Sequence, residues 1–235
     1  MDKSKSSIIL EDVSLCAIVR DEKMNPAGGI QRFIESHVPF VEEAVIVDTG
    51  SKDGTREILE ELESRYSNLR IFDHPFDGYG PSRNYSLEKA NCKYVLVLDA
   101  DELLTQTQPI NDWKIIHKKI KKGNFERLLF GVQNVCFKGE SVIYGLHPER
   151  LFVNSSKLKF ENLAGEYLNI RGGQKVNVKI KHFLPRARAK NLKNDDWYSS
   201  QFSPGYIELI GNKAPSEIES FAEWKEYNPK RDLFK

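Results

Sequence analysis

The chain has no uninterrupted apolar run of about eighteen residues, the length a membrane-crossing helix requires, so no integral membrane segment is expected. Its first residues, Met1 to Ser7, are polar and lack the apolar centre of a secretory leader. Cysteine is scarce: Cys16, Cys92 and Cys136 form an odd set with no metal-ligand spacing. Cys16 lies inside an apolar run and Cys92 just before another. The expectation is therefore buried free thiols in a reducing compartment, and a soluble cytoplasmic protein. Neither sign of charge dominates, since 35 Lys and Arg face 34 Asp and Glu, and this balance names no partner for the surface as a whole. Repeats and low-complexity segments are absent. With 235 residues, 40% of them apolar, the chain can bury a real core, and a single domain over residues 1–235 is expected.

What is present is an alternation. Val13 to Val19, Glu43 to Asp48, Leu69 to Phe72 and Tyr94 to Leu98 are short β-rich runs. Between them, Ile30 to Val38, Arg56 to Tyr66 and Ser82 to Ala90 carry helical spacing, and Asp77 to Pro81 is expected as a loop. Strand, helix, strand in strict succession predicts an α/β fold with a mixed, mainly parallel sheet flanked by helices. Beyond residue 104 the pattern changes. Trp113 to Lys122 reads as a basic amphipathic helix, and Leu128 to Phe137 with Ser141 to Leu146 as an antiparallel excursion. Arg150 to Val153, Lys157 to Phe160 and Lys175 to Phe183 read as further short strands. Ser216 and Glu219 fit a capping box for a final helix reaching about Tyr227. The chain is expected as two halves of one fold, residues 13–104 and 105–235, the second smaller and β-rich.

The chemistry gathers at strand ends. Leu98-Asp99-Ala100-Asp101-Glu102 follows a buried apolar run and puts two carboxylates, one residue apart, at the carboxyl edge of a strand. Open α/β sheets bind ligands at that edge. Carboxylates so spaced suit a hard divalent cation that also holds phosphate oxygens. Arg20-Asp21-Glu22 follows the first strand and Asp48 closes the second, so three acidic loop ends should share one edge. An acid at the end of a strand can accept hydrogen bonds from a ribose or a base. Gly50 and Gly54 let the backbone pass close to a ligand, and Asp53 also suits a helix N-cap.

Val45-Ile46-Val47-Asp48-Thr49-Gly50-Ser51-Lys52-Asp53-Gly54-Thr55, then Ser82-Arg83-Asn84, then Leu98-Asp99-Ala100-Asp101-Glu102 resemble family-2 glycosyltransferases with the GT-A (Rossmann-like) fold. Cys16-Ala17-Ile18-Val19-Arg20-Asp21-Glu22 resembles that family's first strand and loop, so the likeness spans residues 13–104. It implies a nucleotide-sugar donor, a UDP-sugar foremost, bound by Ala17, Val19, Arg20, Glu22, Asp48, Asp53, Arg83, Asn84 and Asp99. Asp48 would contact the uracil or ribose. Arg83 and Asn84 would lie near the diphosphate or the sugar, and Asp99 near the ribose or a metal-bound water. Asp101 would bind Mn2+ or Mg2+, which offsets the charge gained by the departing diphosphate. The resemblance further implies inverting transfer to an acceptor hydroxyl of a glycan, a peptide or protein, or a modified base in DNA.

The second half departs from the family pattern. Arg150-Leu151-Phe152 is present, but a His-Glu pair expected after it stands here as Gly165-Glu166. Glu166 is the candidate general base and Glu149 its substitute. His182 occupies the place of a later histidine and is the candidate to complete the metal shell. Residues 171–193 hold eight Lys and Arg and no acid. They read either as solvated strand faces or as a surface for a polyanion, and the rival function is a non-catalytic nucleic-acid- or polyanion-binding protein. A phosphatase of the haloacid-dehalogenase type also uses Asp-x-Asp. It wants the motif near the first strand with Thr or Val two residues after the second Asp, where this chain has Leu103.

Overall fold

Ile30, Phe33, Ile34 and His37 recur at helical intervals, and they are among the side chains that helix α1 (Gly29–His37) buries. The computed structural model describes residues 10–23, 25, 27–104, 109–135, 141–144, 148–161 and 167–183. Before α1 runs strand β1 (Leu10–Val19), and after it a short 3₁₀ turn (Val38–Phe40) leads into β2 (Val41–Asp48). Helix α2 (Thr55–Arg65), β3 (Leu69–Asp73), α3 (Tyr79–Lys89) and β4 (Tyr94–Val97) complete the first half. Then come β5 (Glu102–Leu104), α4 (Pro109–Lys122), β6 (Arg127–Val135), β7 (Ser141–Tyr144), β8 (Glu149–Val153), β9 (Phe160–Glu161), β10 (Tyr167–Leu168) and β11 (Gln174–Phe183).

The main sheet has the order β3-β2-β1-β4-β8-β6-β11-β5, with β7 added to β6. The first four strands are parallel. β8 then runs antiparallel to both β4 and β6, β11 returns parallel to β6, and β5 lies antiparallel on β11. β9 and β10 pair apart from this sheet. Alternation along each strand sorts the core. Leu15, Ala17, Ile46 and Leu96 pack with Ile30, Phe33, Leu59, Leu62, Trp113 and Ile116, which places α1, α2 and α4 on one face. Cys16, Val45, Val95 and Phe152 face the other way, toward Tyr85 and Leu87 of α3. This is the expected mixed, mainly parallel sheet between helices. Fully burying one leucine such as Leu59 contributes about 1.5–3 kcal/mol.

The sequence reading differs from the structure at boundaries. α3 begins at Tyr79, so residues 79–81 form its first turn rather than a loop. Pro81 is accommodated there because first-turn N–H groups have no partner inside the helix. Gly78 precedes it at φ 124 and ψ 159, a conformation suited to glycine. β1 is longer at its start, with a register shift between Leu10 and Ser14 and Asp12 at φ 62. Lys157 to Lys159 lie outside a strand; only Phe160–Glu161 pairs, with β10. The final helix expected near Ser216 and Glu219 lies outside the described residues.

Two buried polar groups hold this frame. His37 donates from Nδ1 to Phe33 O (2.7 Å) and accepts at Nε2 from Leu104 N (3.4 Å), tying α1 to β5. At the amino edge of the sheet, Glu43 accepts from Ser14 Oγ, Arg70, and both the backbone and side-chain nitrogens of Asn91.

Candidate active site

The carboxyl ends of β1, β2 and β4 meet at one edge. Val19 pairs with Asp48, and Cys16 with Val97. The loops after β1 and β2 are stitched together by side chains. Asp21 N donates to Ser51 Oγ (3.0 Å), Lys52 N to Asp21 Oδ1 (2.7 Å), Glu22 N to Thr55 Oγ1 (2.8 Å) and Lys23 N to Asp53 Oδ2 (3.0 Å). Asp21 holds φ 55, a left-handed conformation uncommon for a side-chain-bearing residue. Gly29 is required at the loop's end. At φ +81, a Cβ there would lie 2.4 Å from Lys23 O.

Asp48 is buried, at 3% exposure. Its Oδ1 accepts from Gly50 N and Ser51 N, both at 2.7 Å. Its Oδ2 is buried without a hydrogen-bond partner among the described residues. A buried acceptor left unmet costs about 1–3 kcal/mol, more when charged, and the cost disappears when a ligand donates to it.

The Asp99–Glu102 segment turns back on itself. Glu102 N donates to Asp99 O (2.9 Å), and Asp99 N donates to Glu102 Oε2 (3.0 Å). Arg83, buried on α3, pairs with Asp99 and reaches Leu98 O at 3.4 Å. Arg150 of β8 contacts Glu102 Oε1 (2.5 Å) and lies 3.8 Å from Asp99 Oδ2. Burial holds the Glu102 carboxyl above the usual carboxylate range against the pull of Arg150. Asp101 is buried, its carbonyl accepts from Phe183 N (2.9 Å), and its Oδ1 lies 3.5 Å from His182 Nε2. Burial disfavours the His182 imidazolium, but Asp101 and then Glu102 outweigh it, and His182 is raised above the ordinary histidine value. The Asp101 carboxylate and the His182 ring nitrogen are thus close enough that they could share an ion, while no group of three or more His, Cys, Asp or Glu side chains gathers among the described residues.

The other expected site residues are placed differently. Ala17 and Val19 bury their side chains in the core. Arg20 is exposed at the end of β1. Asp53 directs Oδ1 at Thr55 N (2.9 Å) and Thr55 Oγ1 (2.6 Å), so its visible bonds organise the start of α2. Asn84 exchanges two bonds with the Phe160 backbone, 2.9 Å to its oxygen and 2.8 Å from its nitrogen, and so fastens β9 to α3. Glu149 is turned away from the acids. Its neighbour Arg150 points at them, successive strand residues face opposite sides, and Glu149 Oε1 accepts from Gly172 N (2.6 Å). Glu166 lies outside the described residues, as do residues 184–193 of the basic 171–193 stretch. Sequence reasoning gave no role to Arg150 or Glu102. The available signal was an arginine opening an otherwise apolar strand, which needs an acid partner once buried.

A crossover α/β sheet with acids gathered at the carboxyl ends of its parallel strands, extended by antiparallel strands that return a histidine to them, is a GT-A fold. The structure of S. aureus TarS residues 1–349 in complex with UDP-GlcNAc superposes with a TM-score of 0.54 at 13% identity, over 92% of this chain and 79% of that one. Mannosyltransferase PcManGT from Pyrobaculum calidifontis, solved with GDP-Man and Mn2+, gives 0.53 at 14% identity, over 96% and 73%. Residues 24–109 match a family model described as glycosyl transferase family 2. A TPR repeat-containing protein of Synechococcus elongatus is 30% identical over 152 residues, covering 65% of this chain and 34% of that protein. Cholesterol galactosyltransferase of Borreliella burgdorferi is 30% identical over 82 residues, covering 35% and 22%. The chain therefore spans about a third or less of the length of these curated relatives. Among the described residues no helix is long and apolar enough to cross a membrane.

Proposed function

We propose that the chain is a metal-dependent, inverting glycosyltransferase that moves a sugar from a nucleotide-sugar donor, foremost a UDP-sugar, to an acceptor hydroxyl. The observation that carries this reading is the buried, unmet Oδ2 of Asp48 on the same sheet edge as Asp101 and His182. Asp48 accepts from the base or ribose. Asp99, held by Arg83 and Arg150, faces the ribose, and Arg20, exposed at the end of β1, meets phosphate charge. Asp101 and His182 would hold the ion, with phosphate oxygens and water filling its other positions, as Mg2+ commonly binds. Imidazole inclines the pair toward Mn2+. Bound there, the ion would offset the charge of the departing nucleoside diphosphate. The fold neighbours solved with UDP-GlcNAc and with GDP-Man and Mn2+ support a donor and an ion of this kind.

The nucleotide-binding half is residues 13–104, and the acceptor enters from residues 105–235. It is a hydroxyl of a glycan, a peptide or protein, or a modified DNA base, deprotonated by Glu166 as it attacks the anomeric carbon from the face opposite the diphosphate. The free Cys16 and Cys92 thiols suit a cytoplasmic setting. The test is a binding and hydrolysis panel over UDP-, GDP- and dTDP-sugars, with Mn2+ and with chelator. One donor should bind in Mn2+ and be lost in chelator. A chain that binds polyanions but shows no metal-dependent donor affinity overturns the reading.

A further inference from the structure

We infer that Asn25 is a positioning residue of the donor site, fastening the loop after β1 to the turn that carries Asp99 and Asp101; the inference rests on the donor-site reading above. Asn25 is buried at 8% exposure. Its Nδ2 donates to Ala100 O and to Glu22 Oε2, each at 3.0 Å. Its Oδ1 accepts from Ala27 N (2.9 Å) and Gly29 N (3.0 Å). The amide thus uses both donors and accepts twice, and a flipped amide would set like groups against each other at all four contacts.

The placement of Ala100 gives this bond its meaning. Ala100 stands between the two aspartates, and its carbonyl belongs to the peptide plane that leads into Asp101. Asn25 holds that plane from one side, while Phe183 N holds the Asp101 carbonyl from the other. The buried Asp101 side chain is therefore aimed by two bonds, one from the β1 loop and one from β11. No other common side chain replaces Asn25. Aspartate would turn an acceptor toward Ala100 O and Glu22, and serine falls short of Ala100.

The experiment measures UDP affinity by calorimetry with Mn2+ and with chelator, and the melting temperature alongside, for the wild-type chain, N25D and N25S. Both variants should keep metal-free UDP affinity within about twofold and lose about 10–100-fold of the Mn2+-dependent gain, the usual effect of losing a group that orients a metal ligand. E22Q/N25D separates positioning from stability. It restores a donor–acceptor pair on the loop side but nothing at Ala100, so melting should recover relative to N25D while the Mn2+ gain does not. Folded N25D and N25S that keep the full gain overturn the inference, as does joint recovery of melting and gain in E22Q/N25D. A wild-type chain with no Mn2+-dependent gain overturns the donor-site reading and this inference with it.

Discussion

His182 Nε2 stands 3.5 Å from Asp101 Oδ1 because the antiparallel pairing of β5 with β11 sets His182 opposite Glu102. A raised imidazole in this place must shed its proton before it can ligate, so metal binding competes with protonation. Mn2+ affinity should therefore rise with pH between about 6 and 8, through and above the ordinary histidine range. His182→Ala should weaken Mn2+ binding and flatten that rise, and Asp101→Ala should abolish transfer with the circular dichroism spectrum intact. Mn2+ titrations followed by electron paramagnetic resonance check the first claim. Full activity of folded Asp101→Ala in chelator sinks the metal role.

Asp48→Asn keeps the shape of the residue and removes its charge. The Gly50 and Ser51 bonds to Oδ1 survive on the carbonyl side, while Oδ2 becomes an NH2 group where a donor from the ligand was expected. UDP affinity should fall by about 1–3 kcal/mol, roughly 5- to 150-fold. Calorimetry that finds unchanged UDP binding rejects the assignment.

The parallel half of the fold was legible because its signals are local. Apolar runs end at acids, and Ile30, Phe33, Ile34 and His37 keep helical spacing. The start of α3 was not, because two glycines and a proline read as a loop, and only the tolerance of a helix's first turn for proline makes them helical. Strand β5 is three residues long and forms through pairing with a segment far along the chain, which no local window contains. The same holds for the site. Asp48, Asp99 and Asp101 announce themselves at strand ends. Asn25, Arg150 and Glu102 acquire roles only through contacts across the sheet.

Arg150→Met should leave Glu102 buried without its cation. Breaking a buried pair on one side costs about 3–5 kcal/mol, and the lower end applies because Arg150 keeps some contact with water. Adding Glu102→Gln removes the stranded charge and should recover part of the loss. Denaturant titrations of the single and double variants measure the coupling, and additive losses reject it.

His37 ties acid sensitivity to the fold. Its burial lowers the folded value to about 4, against about 6.5 in the unfolded chain. The unfolded state therefore binds more protons between those values, and stability present above about pH 6.5 is lost as pH falls toward 4, by roughly 3 kcal/mol. Glu43 acts in the same direction lower down. Although burial opposes it, the bonds from Asn91, Ser14 and Arg70 depress its carboxyl, whose contribution disappears as pH falls below the ordinary glutamate range. Melting curves of wild type and His37→Gln should differ in slope between pH 6.5 and 4, with the variant less stable at neutral pH and flatter. Parallel curves contradict the role of His37.

The general base tests the second half of the chain. An inverting transfer needs a carboxylate near the acceptor hydroxyl, and such help is worth about 10²–10⁴-fold. Glu149 is committed to Gly172 N on the strand face opposite Arg150, so Glu149→Gln should keep turnover close to wild type. Glu166 stands two residues before Leu168, where the resemblance to family-2 glycosyltransferases implies an acid after the Arg-Leu-Phe strand. Glu166→Gln should keep donor binding, lose turnover and flatten the acidic limb of the pH–rate profile. Should Glu149→Gln lose turnover while Glu166→Gln keeps it, the base is Glu149. Should both stay active, the proton leaves by a group outside these two, and the assignment of Glu166 falls.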